Sequence, residues 1–399
     1  MSSPATSLVN LSVESKRELV RLRRAFHKFP ELSGQEVRTA RLIETTLRAA
    51  GISDVKPGVA GNGVVAWLKG EFDGPSILLR ADMDALPLQE RDRGQEYISL
   101  NEGVHHACGH DGHTAILLEV AQLLVTLKPL LHGSVVFVFQ PAEERGGGAH
   151  NVLVERPWPS SVAPVMCLAL HIWNDIPAGG VDVRAGLVMG GSQGFQVRLV
   201  GPGGHGASPH ECPDPIVWTG VLINALQTVV SRTMEPASGA VVSLGVVRGG
   251  QDRSIIASEV RIEGTLRYRR VADLEKMRDR IDTIVNNVAQ MGGLEATVTF
   301  ATDGYSPCVN DPRLSAVVKS VAREVLGDQN VSGDLVLATA DDMSEFLTEI
   351  QGCYFFVGGS NPSAGISAGA HSPSFDFDES ALVVGATVLL NAVLHELSG

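Results

Sequence analysis

Four histidines, a cysteine and an aspartate crowd the stretch HHACGHDGH, residues 105–113. Cys108 and His110 pair a thiol with an imidazole two residues apart, donors that suit Zn²⁺ and similar transition ions. A second cluster, AEE, sets Glu143 beside Glu144 at the end of an apolar run. One such carboxylate can meet a cation while its neighbour meets a water. Their mutual repulsion also raises one pKa and prepares it for proton transfer. An exposed acidic turn reads the same way, so AEE alone decides nothing. His171 ends the apolar VMCLALHIW, where a satisfied core histidine is the ordinary explanation. His371 lies in the loop GAHSPSF, where exposure is the default. Each member is ambiguous, and the case rests on the set. His105 and His106 read as ordinary loop residues.

Those side chains need elements to carry them to one place. SKRELVRLRRAFHKFPEL places Leu19, Leu22 and Phe26 at helical spacing, and EVRTARLIETTLRAAG is a second amphipathic helix closed by Gly51. The runs VVAWLKG, SILLRAD, SVVFVFQP and VMCLALHIW read as buried strands, with a helix starting near His113. Strands alternating with helices predict an α/β fold, a mostly parallel sheet with helices on both faces. The polar clusters RADMD, QPAEE and HIWND follow three of these strands. A fourth, GAHSPSFDFDE, follows CYFFVGGS. Ligand sites of open parallel sheets lie beyond the carboxyl ends of the strands, so four remote segments are sent to one edge.

Composition bounds the partners. At 399 residues, 44% of them hydrophobic, the chain suits two domains. Lys+Arg 32 against Asp+Glu 45 gives a net charge of −13, which disfavours nucleic acid and anionic membrane as partners. No apolar run reads as long enough to span a bilayer. The N-terminal stretch has neither a basic start nor a continuous apolar segment, so no secretory signal is expected. Five scattered cysteines do not form a disulfide framework, and a reducing cytoplasm is the simplest compartment.

From Gly194 the rhythm becomes strand, helix, strand, strand, helix, strand. This βαββαβ order is the ferredoxin-like arrangement, and it reads as a module inserted into the first domain. The expected division is 1–190, 191–302 and 303–399, the outer parts forming one catalytic domain.

The strings RRAFHKFPELSGQE, LLRADMDALPLQE, HHACGHDGHTAILL, FVFQPAEERGGGA, LHIW, GPGGHGASPH, ALQTVVSR, EGTLR and HSPSFDFDE occur in order over nearly the whole chain. In this the chain resembles the metal-dependent amidohydrolases that include hippurate hydrolases, N-acyl-amino-acid amidohydrolases and auxin-conjugate hydrolases. These are related to carboxypeptidase G and the aminoacylases. The resemblance implies two divalent cations per subunit, Zn²⁺ or Mn²⁺ foremost and Ni²⁺ or Co²⁺ as alternatives. It implies Cys108, His110, Glu144, His171 and His371 as ligands, with the Cys108 thiolate bridging and Glu143 as general base. Asp84 would orient a ligand imidazole, and His205 of GGHGAS would donate to the oxyanion, reaching the partner subunit's site. The inserted module would act as lid and hold a homodimer together. Asp82 aligns with a histidine ligand of the carboxypeptidase cousins, and His110 is expected to supply that imidazole. Asp111 and His113 would be structural.

Two departures bear on substrate. GGQDRSIIAS has Ser254 where the family pattern has an asparagine that helps recognise the substrate end, and Ala257 where it has proline. Arg253 beside it is either a bidentate grip on a carboxylate or a solvated loop charge. In ATADDMSEF, Asp341, Asp342 and Met343 stand where relatives have Glu-Asp-Phe. The expected function is hydrolysis of an N-acyl amino acid or similar small amide. The alternatives are a dipeptidase or carboxypeptidase with the same metals, and a binding relative without turnover.

Overall fold

The computed structural model describes residues 8–398. The chain divides into two compact units. The first holds the residues up to Val188, Val309–Leu335 and those from Asp342 onward; the second holds Met189–Cys308 and Val336–Asp341.

The first unit is built on an eight-stranded sheet. Its centre is parallel: β4 (His132–Gln140), β3 (Phe72–Asp82), β5 (Met166–Pro177) and the Gln351–Ser360 strand lie side by side in that order. β1 (Val55–Val59) and β2 (Gly63–Lys69) add antiparallel to β4 at one edge. The central strands are buried almost continuously because both faces are covered. Ile77, Leu79, Phe137, Phe139, Leu168, Leu170, Phe355 and Val357 share one core with α1 (Val13–His27), α2 (Val37–Ala49), α3 (His110–Leu127) and the Ser380–Leu397 helix. The alternating residues Leu78, Val136, Ala169, Tyr354 and Phe356 are buried as well. Helices α4 (Gly148–Glu155) and Met343–Glu349 pack on strands of this sheet.

Register sets the carboxyl edge. Asp82 pairs with Gln140, and Arg80 pairs with Ala169 two residues before His171. The chain therefore leaves β3 and β4 at one level, and the DMD and AEE segments emerge there beside HIW, which lies within β5.

Three expectations are corrected. α3 starts at His110 rather than near His113. Gly109, at φ 88°, turns the chain into the helix, and the polar residues of its first turn are buried with partners instead of forming a loop. His105 and His106 are buried, not ordinary loop residues. α3 and the Ser380–Leu397 helix are also long and apolar enough, by length and composition alone, to cross a membrane. They are apolar around most of their circumference because they pack into the core, where 56% and 78% of the respective windows are buried.

The second unit is a four-stranded antiparallel sheet in the order Val241–Gly249, Glu259–Tyr268, Gly191–Val200, Glu295–Phe300. Helices Pro215–Leu226 and Val271–Gly292 cover one face and share its core with Val197, Leu199, Ile262 and Leu266. This is the βαββαβ arrangement.

A buried charge network anchors the segment before α3. Arg23, fully buried on α1, donates to Asp111 at 3.0 Å and Asp376 at 2.6 Å, between the rings of Tyr97 and Phe377. His27 bridges Asp111 (2.7 Å) and Glu90 (3.1 Å). Burial and Arg23 disfavour its charge, yet the two carboxylates raise its pKa overall. His105 lies beside this network with no hydrogen-bond partner for either ring nitrogen among the described residues. Burial, the dominant cause, lowers its pKa to about 4. Its folded value thus lies below its unfolded value near 6.5, so the stabilisation is fully present above pH ~6.5. It is lost as pH falls through about 4. Thermal unfolding between pH 7 and 4 is expected to show a falling melting temperature. His105→Leu should remove up to about 3 kcal/mol of that loss.

Candidate metal centre

Four segments deliver five donors to the carboxyl edge of the parallel sheet. Cys108 precedes α3, His110 opens it, Glu144 follows β4, His171 lies in β5, and His371 comes from the loop after the Gln351–Ser360 strand. Cys108 Sγ stands 3.6 Å from His171 Nε2. His371 Nε2 is 3.3 Å from Glu144 Oε1, and His110 Nε2 is 4.0 Å from the same oxygen. Three groupings have donor atoms within 4.8 Å of one another: Cys108–His110–His171, Cys108–Glu144–His371 and His110–Glu143–Glu144. The first two share the thiol.

These spacings fit cations. Ligands at about 2.0–2.3 Å from a tetrahedral ion lie roughly 3.3–3.8 Å from each other. Glu144 Oε1 is buried without a hydrogen-bond partner among the described residues. Burial and the charge of Glu144 push the Cys108 thiol up, against the thiolate that a metal requires. A buried acceptor with no donor and a thiol beside a carboxylate are both relieved by positive charge placed between them.

The imidazoles are preset. His171 Nδ1–H donates to the Ile172 carbonyl at 2.8 Å, which leaves the Nε2 lone pair facing Cys108. Burial, then His113, hold its pKa well below the ordinary value, so the ring is neutral. His110 Nδ1–H donates to the Asp84 carbonyl at 2.9 Å and turns Nε2 toward the cluster. Burial opposes charge on His110, but Asp82 and Asp84 raise its pKa well above the usual range. Asp84 Oδ2 accepts the Ser33 hydroxyl (2.6 Å) and the Glu144 N–H (3.0 Å). His371, at φ 64° and with its side chain about half exposed, has a pKa raised to about 10, by Cys108 first and then Glu144.

In other acid and histidine groupings the carboxylates are already engaged. His113 Nδ1–H donates to Asp82 at 2.6 Å and its Nε2 accepts the Ile172 N–H at 2.9 Å, so neither nitrogen is left for a cation. Asp82 also takes Arg80 at 2.6 Å. Burial opposes its charge, but His110 and Arg80 hold its pKa well below the carboxylate range. Both Glu90 oxygens, beside His27 and His105, accept hydrogen bonds from Gln95, His27 and Ser99. Asp111 is engaged by Arg23 and His27.

His205, Arg253 and Ser254 belong to the second unit, where the paired two-residue strands Gly204–His205 and Ile255–Ile256 bring them together. His205 is exposed, and its Nδ1 accepts the Ala207 N–H at 3.0 Å, so the ring hydrogen sits on Nε2. The Ser254 hydroxyl is spent on Asp252 at 2.5 Å, and Arg253 is exposed. A cavity of about 740 Å³ in this unit runs past Gly204, Arg248, Ile255 and Glu259 but contains none of the candidate ligands.

Residue-type reasoning missed the supports. Arg80 is fully buried and joins Asp82, Gln140 (2.9 Å) and Asp342 (2.9 Å). Its signal was present: an arginine inside the apolar run SILLRAD survives burial only when paired.

The comparisons agree with this geometry. A model of peptidase family M20/M25/M40 matches residues 78–395. An Arabidopsis thaliana protein named IAA-amino acid hydrolase ILR1-like 5 is 37% identical over 95% of this chain and 86% of its own length. Thermostable carboxypeptidase 1 of Saccharolobus solfataricus is 35% identical over 92% of both chains. A Bacillus subtilis crystal structure described as a dinuclear metal binding peptidase from the M20 family superposes with a TM-score of 0.84. It is 28% identical, covering 97% of this chain and 99% of its own. A parallel sheet that gathers thiol, imidazole and carboxylate donors at its carboxyl edge, in a chain so matched, belongs to peptidase family M20/M25/M40 and is a metal-dependent hydrolase of amide or peptide bonds.

Proposed function

We propose that this chain cleaves the amide bond of an N-acyl amino acid or a similar small conjugate, using two divalent cations and Glu143 as general base. The observation that carries the reading is the pair of donor triads with Cys108 in common, with Glu143 in a third grouping beside them. Cys108, His110 and His171 would hold one ion, and Cys108, Glu144 and His371 the other. Zn²⁺ or Mn²⁺ suits this mixed donor set best, and Ni²⁺ or Co²⁺ can serve. When bound, such ions polarise a scissile carbonyl and acidify water.

The protein's own groups do the remainder. Glu143, buried beside Glu144, accepts the proton of the attacking water and passes it to the leaving amine. Asp84 fixes His110 through its carbonyl and the Glu144 peptide through its carboxylate. His205 carries its ring hydrogen on Nε2 and donates it to the developing oxyanion, in the partner subunit's site of a homodimer formed through the second unit. With Ser254 turned onto Asp252, Arg253 takes over recognition of the substrate carboxylate. The free cysteines fit a cytoplasmic location. The auxin-conjugate hydrolase favours an acyl–amino acid amide. The carboxypeptidase relative keeps a peptide with a free carboxylate as the second reading.

A panel of N-acetyl and N-benzoyl amino acids against free dipeptides separates the two, and turnover confined to dipeptides would reject the first. Glu143→Gln is expected to lower kcat about 10²–10⁴-fold while two metal ions per chain remain by elemental analysis. Cys108→Ser should weaken both sites in chelator competition, and a variant that keeps both affinities would remove the shared thiolate.

A further inference from the structure

We propose that Glu36 is a positioning residue: it clamps the Ala142 peptide in a left-handed conformation and thereby aims Glu143 at the metal centre. This rests on the reading of Glu143 as general base. In an extended strand neighbouring side chains point to opposite faces, yet Glu143 and Glu144 converge with His110. The chain has left strand geometry here: the strand ends at Gln140 and the backbone turns at Ala142, where φ is 55°, which sets the direction in which Glu143 departs. Side chains disfavour this region by roughly tenfold. Something must hold it.

Glu36, at the end of the PELSGQE segment, is fully buried. Its Oε1 accepts the Ala142 N–H at 2.9 Å and the Gly34 N–H at 2.9 Å, and its Oε2 accepts Asn62 at 3.2 Å. The preceding Pro141 cannot absorb the turn, because it is packed on two sides. A Cβ on Gly63 would stand 2.8 Å from Pro141 Cδ, and one on Gly148 would overlap the Pro141 carbonyl oxygen. Beyond Glu143, the Glu144 N–H is held by Asp84, which is itself held by Ser33. Residues 31–36 thus hold the N–H groups of the residues on either side of Glu143, Ala142 directly and Glu144 through Asp84, and the Glu31 carbonyl ties the segment to Ala85 at 2.8 Å.

The test uses metal-loaded full-length protein and the best N-acyl amino acid of the panel, with Glu36→Ala, Glu36→Gln and Glu36→Ala/Ala142→Gly. Glu36→Ala should lower kcat about 10–100-fold with KM little changed. Glu36→Gln, which keeps an acceptor oxygen, should lose far less. Adding Ala142→Gly should recover about tenfold, since glycine adopts positive φ unaided. In metal-free protein, amide hydrogen exchange at Ala142 should accelerate at least tenfold in Glu36→Ala. If Glu36→Ala does not fold, Glu36→Asp supplies the same readings, being too short to reach Ala142 yet still a carboxylate. Unchanged kcat and exchange in these variants, or a kcat loss that Ala142→Gly leaves unrepaired, overturns the clamp. An active Glu143→Gln variant overturns the base assignment instead, while faster exchange at Ala142 still upholds the clamp.

Discussion

Buried charge at the carboxyl edge of the sheet must be compensated in place, and the structure around the metal centre follows from that constraint. Asp82 and Arg80 lie within one strand with side chains out of solvent, bonded at 2.6 Å. An unpaired charge there would be destabilising by several kcal/mol. Arg80 therefore recruits Gln140 from the neighbouring strand and Asp342 from the start of the Met343–Glu349 helix. Asp82 recruits His113 from α3. The same groups that neutralise the pair stitch together β3, β4, α3 and the Met343–Glu349 helix, and donors stand on α3 and directly after β4.

That stitching reaches the donors through hydrogen positions. With its Nδ1–H given to Asp82, His113 has only its Nε2 lone pair left, and it accepts the Ile172 N–H. The residue so held offers its carbonyl, in the next peptide, to His171 Nδ1–H, and His171 Nε2 is left for Cys108. His110 is set in the same manner by the Asp84 carbonyl. In His171 and His110 the ring nitrogen facing the cluster is fixed because the opposite nitrogen is occupied by a backbone oxygen, and in neutral His171 it is a lone pair. Preset tautomers of this kind reduce the reorganisation that metal binding would otherwise demand.

A second buried arginine plays the matching part on the helical side. Arg23 carries Asp111 and Asp376, and with His27 it pulls the segment before α3 into the core. This is why His105 and His106 are buried where a loop rich in polar residues reads as exposed, and why α3 begins three residues earlier than its pattern implies. Local composition describes a polar loop. Partners more than 80 residues away in the chain make it a helix start.

Much was legible in the chain itself. Short apolar runs bounded by turn residues read as strands covered on two faces, so the α/β class, the parallel centre and the βαββαβ unit follow from hydrophobic pattern and run length. The strand ends then mark where Asp84 and Glu143 emerge, while His171 lies within a strand that runs on to Pro177. The thiol, imidazole and carboxylate types announce a metal before any contact is known. What the pattern could not hold is relation across distance. Whether His113 is a ligand or a prop depends on which nitrogen meets Asp82 and which meets Ile172. The direction in which Glu143 leaves the strand depends on the backbone turn at Ala142, whose N–H is held by Glu36 over a hundred residues earlier. Periodicity records burial along one segment, whereas tautomers, left-handed turns and paired charges are set by whichever remote groups the fold brings within hydrogen-bonding reach.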